Sequence, residues 1–409
     1  MLDIVRVRIF YQTDPVGTIP GGIDTFIRGI IKAAPDDIEI SVVGLTMDPE
    51  VRPVGRWSRC KIANRNVSFF PVGHYRNPRG RSRIPLVLQL TVGIAKYFRT
   101  CASGCDVLEF HRVEPAILFL RDHRPKNAFI HQNMDVIKNS LSDIRWKTMP
   151  WLYFWMERMT LPSINSVFGV RANAIEAYQR KYPALADRFR FIPTWMDPDV
   201  FFPATDIARE RLRESLGSQL GIRAGERVVI SVGRLDSQKN PLLLVEGFAL
   251  VARNLPDLRL IIVGDGVLRN QIQARIAKLC LGDRVILTGL RPPHEVADLL
   301  RFSDCFVLTS AYEGMPMCVL EALGCGIPVV TTRVGEVERI VKPGINGEIL
   351  SEATPESLKD SLERCLAHAA SYRGDACLAS VSDFVPNKVL QPVYEQYRRL
   401  GHLHSAQKS

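Results

Sequence analysis

The stretch Ala311-Tyr-Glu-Gly-Met-Pro-Met-Cys-Val-Leu-Glu-Ala-Leu-Gly-Cys-Gly-Ile-Pro-Val-Val330 says most about the fold of this chain. It places two carboxylates, Glu313 and Glu321, eight residues apart on either side of a Gly-Met-Pro turn and a short apolar run. The turn predicts that Glu313 lies on a loop. The run Cys318–Leu323 predicts the first turns of a helix, with Glu321 near its positive end.

Amides at the start of such a helix bind anions, and phosphate suits them best. A carboxylate inside the helix can take ribose hydroxyls, and one on the loop can take sugar hydroxyls. The alternative for Glu313 and Glu321 is a pair of solvated side chains beside a strand-to-helix turn. The rest of the chain favours the ligand site.

Apolar, strand-like runs alternate with helical patterns along the chain, which predicts βαβ units and parallel sheets. The expected strands of the first half are Val5–Tyr11, Ile38–Gly44, Asn66–Pro71, Val107–Phe110, Asn127–His131, Ser166–Val170 and Arg188–Pro193. Those of the second half are Arg227–Val232, Arg259–Val263, Val285–Thr288, Cys305–Leu308, Pro328–Thr331 and Gly347–Ile349.

This alternation predicts an α/β protein of two Rossmann-like, doubly wound domains that face each other across a cleft. The expected domains are residues 1–203, which bind the acceptor, and residues 204–385, which bind a nucleotide sugar. Residues 386–409 are expected to form a C-terminal helix and tail that pack back towards the N-terminal domain.

Three strand ends of the second half carry turns suited to a ligand. One hydrophobic strand breaks at Gly233 and is followed by Arg234 and Lys239, just before a helix. The planar fork of arginine and the point charge of lysine can clamp a diphosphate there, although both side chains can also simply solvate a loop. A second strand ends in Gly264-Asp265-Gly266, and a third ends in Thr288-Gly289-Leu290.

In this order the motifs resemble the large retaining group of glycosyltransferases with the GT-B fold, the glycosyl transferases group 1 (family 4) type. The resemblance covers about Val228 to Leu350, and its specific part is the pair Glu313 and Glu321 in its Gly-Pro context. It implies a hexosyltransferase that moves a sugar from a nucleotide-diphosphate sugar to a glycan or lipid-linked acceptor. It also implies retention of anomeric configuration and no cofactor.

The N-terminal half fits the family more loosely. Pro20-Gly21-Gly22-Ile-Asp resembles its glycine loop, where backbone amides approach the donor phosphate or the acceptor. His111 and His131 end two expected strands, and the second resembles the position where the family often carries a histidine near the reacting sugar. The alternative for His111 is a hydrogen-bonded histidine at a sheet edge. Thr194-Trp-Met-Asp197 departs from the family's Asn-Gly-Val-Asp.

The resemblance assigns residues to three overlapping sets. The catalytic set is His131, Glu313, Arg234 and Lys239. The donor-binding set is Gly22, Gly233, Arg234, Lys239, Asp265, Gly266, Leu290, Glu313, Gly314, Met315, Met317, Cys318, Val319 and Glu321. The acceptor-binding set is Gly21, Gly22, His111 and His131. No metal is expected, because no cluster resembles the Asp-x-Asp site of the other large glycosyltransferase fold; the cations would replace it.

The net charge of +10 comes from one segment. Residues 51–105, called the basic segment below, hold eleven Lys or Arg and no Asp or Glu. Removing these eleven from the 53 basic residues leaves 42 against 43 acidic ones. With interleaved aromatics, the basic segment is typical of a surface that binds anions. An anionic membrane surface, a phosphorylated acceptor or plain solvation are the alternatives; nucleic acid is not expected, because no recognition motif accompanies the charge.

The nine cysteines are scattered, and several lie in apolar runs, which predicts buried free thiols in a reducing compartment. The first residues lack the apolar core of a signal peptide, and the longest uncharged apolar run, Ile84–Ala95, is too short to cross a bilayer. We therefore expect a cytoplasmic protein, peripheral at the inner face of the plasma membrane.

Two other classes of function compete with glycosyl transfer. A sugar-nucleotide epimerase or a phosphorylase can use the same fold, and a non-catalytic anion-binding protein can use the basic segment. The latter does not need carboxylates and cations together at strand ends. We expect a role in bacterial exopolysaccharide or lipopolysaccharide assembly, with GDP-mannose slightly ahead of UDP-sugars as donor.

Overall fold

A computed structural model describes residues 4–17, 22–75, 84–131 and 150–408. Its strands are β1 Val5–Phe10, β2 Ile38–Thr46, β3 Ser58–Ile62, β4 Arg65–His74, β5 Val107–Phe110, β6 Lys126–Ile130, β7 Ser166–Gly169, β8 Phe189–Phe191, β9 Arg227–Val232, β10 Leu258–Val263, β11 Val285–Gly289, β12 Cys305–Leu308, β13 Val329–Thr331 and β14 Gly347–Ile349. Every strand expected from the sequence is present, with ends that differ by a few residues.

The helices are α1 Gly22–Lys32, α2 Leu86–Lys96, α3 Phe98–Ala102, α4 Val113–Ala116, α5 Pro150–Thr160, α6 Ala172–Lys181, α7 Asp206–Leu220, α8 Pro241–Asn254, α9 Arg269–Lys278, α10 Pro293–Phe302, α11 Met317–Gly324, α12 Val337–Ile340, α13 Pro355–Ala367, α14 Ala369–Tyr372, α15 Asp375–Val381, α16 Pro386–Val389 and α17 Gln391–Lys408. Short 3-10 segments lie at Ile117–Phe119, Leu161–Ser163 and Pro183–Arg188. In the described part of the chain, no helix is both long enough and apolar enough to span a bilayer.

The chain forms two compact units. Unit 1 contains the described residues up to Pro193 and those from Pro386 onward, and unit 2 is Thr194–Val385. The boundary expected at residue 203 lies ten residues later than this one. The reason is that the segment after Pro193 bonds within unit 2: the Met196 amide donates to the Phe384 carbonyl at 3.0 Å, and the Thr194 hydroxyl donates to the Met315 carbonyl at 3.2 Å.

Unit 1 is built on an eight-stranded sheet in the order β3-β4-β2-β1-β5-β6-β7-β8. All neighbours are parallel except β3, which runs antiparallel to β4. The central strand β1 pairs with β2 from Val5 opposite Ile38 and with β5 from Val7 opposite Val107. A sheet of this type is covered by helices on both faces and positions its ligand sites at the carboxyl ends of the strands.

Strand β3 was not expected from the sequence. Its burial alternates, with Cys60 and Ile62 inside and Arg59 and Lys61 in solvent. The hairpin joins Ile62 directly opposite Arg65, and its turn places Ala63 in the left-handed region at φ 49°. Turns of this kind are usually recognised in a sequence by Asn-Gly or Asp-Gly, so a turn with an alanine in this position is not apparent from the sequence.

Unit 2 is built on a six-stranded, fully parallel sheet in the order β11-β10-β9-β12-β13-β14. Successive residues of β9 enter different cores, because side chains alternate across a strand. Val228 and Ile230 pack in the cluster beneath α10 and α11, and Val229 packs in the cluster that contains Phe248 of α8. The central strands are therefore buried on both faces, which holds the turns at their ends rigidly.

Helix α17 packs within unit 1, against its sheet. The Tyr394 hydroxyl donates to the Ile30 carbonyl at 2.7 Å, and Arg398 forms a two-pronged ion pair with Asp37 at 2.5 and 3.0 Å. Gly401 lies so near Val5 of β1 that an added Cβ would come within 2.8 Å of its side chain. These contacts hold the final helix against the N-terminal strands.

Candidate active site

Three strand ends meet at one edge of the unit 2 sheet. The chain runs outward from β9 to β10 and β11 on one side and from β12 to β14 on the other, so the strand order reverses between β9 and β12. Ligands of open parallel sheets bind outside the strands' carboxyl ends at such a reversal. The turn after β9 carries Arg234 and Lys239, and the turn after β12 carries Glu313.

Lys239 and Glu313 are joined across this reversal. The Lys239 ammonium lies 2.6 Å from Glu313 Oε1, which also accepts a hydrogen bond from the Ser310 hydroxyl at 2.7 Å. Burial alone lowers the pKa of Lys239, but its net shift is upward, and the Glu313 carboxylate contributes to that rise through its charge and its hydrogen bond. The lysine is therefore cationic and oriented, and the Lys239 and Ser310 bonds both use the same Glu313 oxygen.

Arg234 is placed differently. Its side chain is 69% exposed, and it is held by Asp236 at 2.9 Å and by Gln238 at 3.1 Å. Gln238 also connects the two turns. Its side-chain amide donates to the Tyr312 backbone carbonyl, and its backbone carbonyl accepts from the Ala311 amide. The structure thus brings Lys239 to Glu313 and leaves the Arg234 guanidinium in solvent beside the same turn.

The turns after β9 and β10 are in close backbone contact, which explains two of the expected glycines. A Cβ on Gly264, whose φ is 139°, would lie 1.9 Å from the Gly233 carbonyl oxygen. A Cβ on Gly266 would lie 2.4 Å from the Leu235 carbonyl oxygen. Asp265, half-exposed, accepts a hydrogen bond from the Gly266 amide at 2.8 Å. Gly264 and Gly266 are therefore needed for packing, whatever their role toward a ligand.

The loop that carries Glu313 is held from below by residues that the sequence analysis did not single out. The Gly314 carbonyl accepts from the Glu336 amide at 2.9 Å, and a Cβ on Gly335 would lie 1.8 Å from that carbonyl oxygen. The Thr332 hydroxyl donates to the Ser310 carbonyl at 2.7 Å. Among the supporting residues Thr332, Gly335 and Glu336, only Gly335 is marked in the sequence, as a glycine shortly after a strand end.

Helix α11 begins directly after the Glu313 loop, with Pro316 before its first residue. The amides of Met317 and Cys318 have no carbonyl four residues back within the helix, so they are the natural anion donors. The Val319 amide already donates to the Pro316 carbonyl at 3.1 Å, and its side chain lies in the core. Burial raises the pKa of Cys318 to about 12, so the thiol stays protonated.

Glu321 lies one turn further along α11. Burial raises its pKa to about 7, against the lowering effect of Lys239. A carboxyl with such a pKa changes charge near physiological pH and accepts hydroxyl hydrogen bonds best when ionised. Of the remaining expected donor residues, Met315 is buried and Leu290 is exposed to solvent.

In unit 1 the structure brings together the two expected histidines. They follow neighbouring strands, β5 and β6, and His111 Nδ1 lies 2.8 Å from His131 Nε2. Burial, with the neighbouring His111 and Arg112, lowers the pKa of His131 well below its usual value. His131 is therefore neutral at physiological pH and is able to act as a hydrogen-bond acceptor as well as a donor.

A small cavity of about 30 Å³ opens beside this pair and is lined by Ile23, His111, Arg112, Glu114, His131 and Tyr153, among others. The buried Arg112 guanidinium binds Glu114 through two nitrogens: Nε donates to the two carboxylate oxygens at 3.1 and 3.2 Å, and Nη2 donates to Oε1 at 2.5 Å. A Cβ on Gly22, which begins α1, would meet no atom of the described residues within 4 Å, so they leave open space at that end of the helix. Gly21 lies outside the described residues.

Part of the basic segment is paired or buried. Arg52 binds Asp14 at 3.0 Å and Arg65 binds Asp36 at 2.7 Å. Phe69 and Phe70 belong to the core, because they lie on β4, so these aromatics do not face a partner. Arg76, Arg79, Arg81 and Arg83 lie outside the described residues. Arg56, Arg59, Lys61, Lys96 and Arg99 are exposed.

Among the residues described here, no three His, Cys, Asp or Glu side chains are grouped so that they can hold a metal ion. Asp197 and Asp199, the nearest sequence resemblance to an Asp-x-Asp site, lie in the segment before α7, where Asp197 Oδ1 accepts from the Asp199 amide at 3.1 Å. The charges at the β9/β12 strand ends are thus supplied by Lys239, Glu313 and Arg234.

Residues 213–373 match the family of glycosyl transferases group 1. The matched range contains every expected residue of unit 2, including Glu313 and Glu321. This part of the chain is therefore similar to that family. Its two units, each a parallel sheet flanked by helices, have the GT-B architecture of two Rossmann-like domains.

The chain is 30% identical over 218 residues to mannosylfructose-phosphate synthase of Agrobacterium fabrum, which covers 51% of this chain and 47% of that protein. It is 29% identical over 221 residues to an Escherichia coli UDP-Gal:alpha-D-GlcNAc-diphosphoundecaprenol alpha-1,3-galactosyltransferase, covering 53% and 55%. The chain thus spans about half the length of these curated relatives.

Solved structures are similar over nearly the whole chain. The sucrose-phosphate synthase of Thermosynechococcus elongatus superposes with a TM-score of 0.74 at 19% identity, covering 98% of this chain and 100% of that one. Anabaena HepE in complex with UDP superposes with a TM-score of 0.70 at 18% identity, covering 97% and 100%. At such identities the likeness concerns the fold alone.

Proposed function

We propose that this protein is a glycosyltransferase that moves a sugar from a nucleotide-diphosphate sugar to a glycan or lipid-linked acceptor, with retention of anomeric configuration and without a metal ion. The observation that carries the proposal is the Lys239–Glu313 pair, 2.6 Å apart, at the strand-order reversal of unit 2. The pair places a cation that can bind a diphosphate beside a carboxylate that can bind sugar hydroxyls, at the position where open parallel sheets bind ligands.

The donor is bound by unit 2. Glu321 takes the ribose hydroxyls, and the amides of Met317 and Cys318 with Lys239 and Arg234 take the diphosphate. Stabilising the departing diphosphate is the main catalytic demand, because the sugar carbon becomes positively charged as its bond to the phosphate lengthens. A buried, oriented ammonium is well suited to this, since it needs no reorganisation when the charge develops.

Glu313 orients the donor sugar. Its Oε1 is held by Lys239 and Ser310, and this fixes the carboxylate plane while Oε2 is available for a sugar hydroxyl. His131 and the open space beside Gly22 in unit 1 serve the reacting sugars. Retention follows if the acceptor attacks from the face that the phosphate leaves, with the leaving phosphate taking the acceptor's proton.

The acceptor proposed is a glycan under assembly on a lipid carrier, in bacterial exopolysaccharide or lipopolysaccharide synthesis. Two features support it. The Escherichia coli relative is described as acting on a diphosphoundecaprenol-linked sugar. In unit 1, Ile84 just before α2 and Leu88 and Val92 on it are exposed and follow each other at four-residue intervals, with Lys96 and Arg99 beyond them. This arrangement suits a protein that acts in the cytoplasm at the inner, anionic face of the plasma membrane.

A sugar-nucleotide epimerase or phosphorylase remains the second candidate, because the donor site would be the same. Incubation with the sugar nucleotide alone separates the two. An epimerase converts it without an acceptor, and a phosphorylase consumes it only with phosphate.

The direct test is a panel of nucleotide sugars, GDP-mannose first and UDP-sugars second, scored by thermal stabilisation and by product formation with lipid-linked acceptors. A ligand at 100 times its Kd stabilises the folded state by about 2.7 kcal/mol. We expect one nucleotide to raise the melting temperature and support transfer, and the anomeric proton of the product to report retention by NMR. No stabilisation by any nucleotide sugar would refute donor binding.

Substitution of the two carboxylates should impair different steps of the reaction. Glu321→Ala should mainly weaken donor binding, and Glu313→Ala should mainly lower turnover of the bound donor. Both variants should keep the parent's circular dichroism spectrum. Unchanged kinetics in both would remove the basis of this proposal.

A further inference from the structure

A chain of buried polar side chains in unit 1 runs from the C-terminal helix to the cavity beside His131. The Tyr397 hydroxyl of α17 donates to Glu109 Oε2, and the Asn127 amide donates to the same oxygen at 2.9 Å. Glu109 Oε1 lies 3.0 Å from His111 Nε2, and His111 Nδ1 lies 2.8 Å from His131 Nε2. Glu109, Asn127 and Tyr397 are fully buried.

The donors along this chain fix where the protons lie. The Asn127 amide nitrogen only donates, so Glu109 is an acceptor on that side. With Glu109 ionised, His111 Nε2 carries the proton and donates to it, which leaves His111 Nδ1 bare. His111 Nδ1 then accepts from the Nε2–H of His131. A neutral His131 with its proton on Nε2 has a bare Nδ1 at the other side of the ring.

The aromatic surroundings hold this geometry. The planes of the two imidazoles differ by 13° and their centroids are 5.1 Å apart, which suits an edge-to-edge hydrogen bond in a common plane. Phe129 lies parallel to His111 at 4.8 Å, and Phe26 meets His131 edge-on at 5.0 Å. Apolar walls of this kind exclude water and strengthen the hydrogen bonds between them.

A purely structural role explains the arrangement poorly. A buried carboxylate with polar partners is seldom more stabilising than an apolar core of the same volume. Within the described part of the chain, this series of hydrogen bonds also ends at His131, which lines the cavity, rather than closing on itself.

We propose that Glu109, His111 and Tyr397 are positioning residues that set the tautomer of His131, so that His131 Nδ1 accepts a hydrogen bond from a sugar hydroxyl. The inference rests on the proposed function, because the hydroxyl belongs to a substrate of that reaction. It adds two side chains to the acceptor side, Glu109 and, from helix α17, Tyr397, and it gives them and His111 a defined task.

The competing proton arrangement is simple to state. If Glu109 were protonated and donated to His111, each proton in the chain would shift by one place towards Glu109 and His131 Nδ1 would take up one further proton from solvent, so that it would present an N–H instead of a lone pair. The two arrangements are distinguished by ¹⁵N NMR of histidine-labelled protein, because protonated and bare ring nitrogens have widely separated shifts. We expect the His131 Nε2–H tautomer in the parent, and the Nδ1–H tautomer would overturn the proposal.

Glu109→Gln should reverse the tautomers. Because Asn127 and Tyr397 both donate on the Oε2 side, the glutamine carbonyl takes that place and its NH₂ group faces His111 Nε2. His111 Nδ1 then carries a proton and donates to His131 Nε2, which leaves the proton of His131 on Nδ1. We expect the NMR signature to switch and turnover to fall about tenfold or more, as for loss of one hydrogen bond to the substrate. An unchanged His131 tautomer in a folded Glu109→Gln protein would overturn the proposal.

Tyr397→Phe provides a milder test with a matched control. It removes one donor from Glu109, which makes the carboxylate more basic; Glu109 should then draw the shared proton from His111, His111 should draw the proton from His131 Nε2, and uptake of one proton from solvent at Nδ1 should add Nδ1–H tautomer at His131. Tyr394→Phe removes another buried hydroxyl from the same helix, one that donates to the Ile30 carbonyl. It should lower the melting temperature without altering the tautomer.

If Glu109→Gln does not fold, Tyr397→Phe decides: equal His131 spectra in Tyr397→Phe and Tyr394→Phe contradict the proposal. The NMR measurement needs no substrate. Its failure is therefore separate from failure of the proposed function, which is measured by nucleotide-sugar stabilisation of unit 2.

Discussion

Glu321 is the carboxyl of the proposed donor site whose charge changes within the physiological range. With a pKa of about 7, raised mainly by burial, it is protonated below neutrality and ionised above it. Its ionised fraction rises from about one tenth at pH 6 to about nine tenths at pH 8. We predict that affinity for a nucleotide sugar, measured by calorimetry, improves several-fold over this interval. In Glu321→Gln the profile should be flat; a slope equal to the parent's would assign the pH dependence to another group.

Arg234 tests the charge-clamp mechanism. Arg234→Ala should lower turnover roughly a hundredfold, as loss of one well-placed donor does, and Arg234→Lys should rescue it poorly, because an ammonium lacks the planar fork. The matched control is Arg227→Ala at the opposite end of β9, where the arginine binds Asp257 at 2.9 Å. That variant should lose stability but keep turnover.

The same mechanism predicts that activity survives EDTA. If chelation abolished transfer and magnesium or manganese restored it, the arginine and lysine would not be the counter-charges of the diphosphate. Asp197 and Asp199 would then be the first candidates for metal ligands.

Residue-level sequence reasoning was strongest where a strand end and a turn coincide. Glu313 and Lys239 were both expected in the donor site, and the structure adds the ion pair between them. Ser310, Thr332 and Glu109 were not expected, because a residue that supports another through one hydrogen bond leaves no pattern in the sequence. The contact between Glu109 and Tyr397 joins positions 288 residues apart, which no local signal reveals.

Helix α2 is the element on which the proposed membrane association rests. Its exposed Leu88 and Val92 should enter the lipid interface while Lys96 and Arg99 contact anionic headgroups. We predict that Leu88→Glu with Val92→Glu lowers binding to anionic liposomes about tenfold or more in a sedimentation assay. Donor binding should be unchanged.

The control for α2 is Val267→Glu, because Val267 is a highly exposed valine of unit 2. It should bind liposomes like the parent. Equal binding by the α2 variant and this control would mean that the exposed side of α2 is only solvated.

Among the elements, the parallel strands were predictable because continuous apolar runs bounded by glycine turns have few other solutions. The hairpin β3–β4 was missed for two physical reasons. Its turn uses Ala63 in a conformation that alanine seldom adopts, and its outward positions carry the charges of the basic segment. The charge pattern was therefore assigned to a surface function when part of it is the solvated side of a strand.

At the scale of the whole molecule, the net charge of +10 describes one region rather than the protein. Within the described residues, two basic side chains of that region are paired with carboxylates, Arg52 with Asp14 and Arg65 with Asp36. The alternation of strand-like and helical patterns predicted the α/β class and two units. It did not predict that the crossing from unit 1 to unit 2 falls at Pro193, because the hydrogen bonds of Thr194 and Met196 that decide it come from distant residues.

Helix α17 has a consequence for the order in which the protein matures. Unit 2 is one continuous stretch, so it has all its own residues as soon as Val385 leaves the ribosome. Unit 1 does not, since Glu109 is buried beside a tyrosine that is synthesised 288 residues later. The first sheet to be translated is thus the second to be completed. Until then the Glu109 carboxylate of β5 lacks one of its hydrogen-bond donors, and chaperones have their best opportunity to bind the nascent chain.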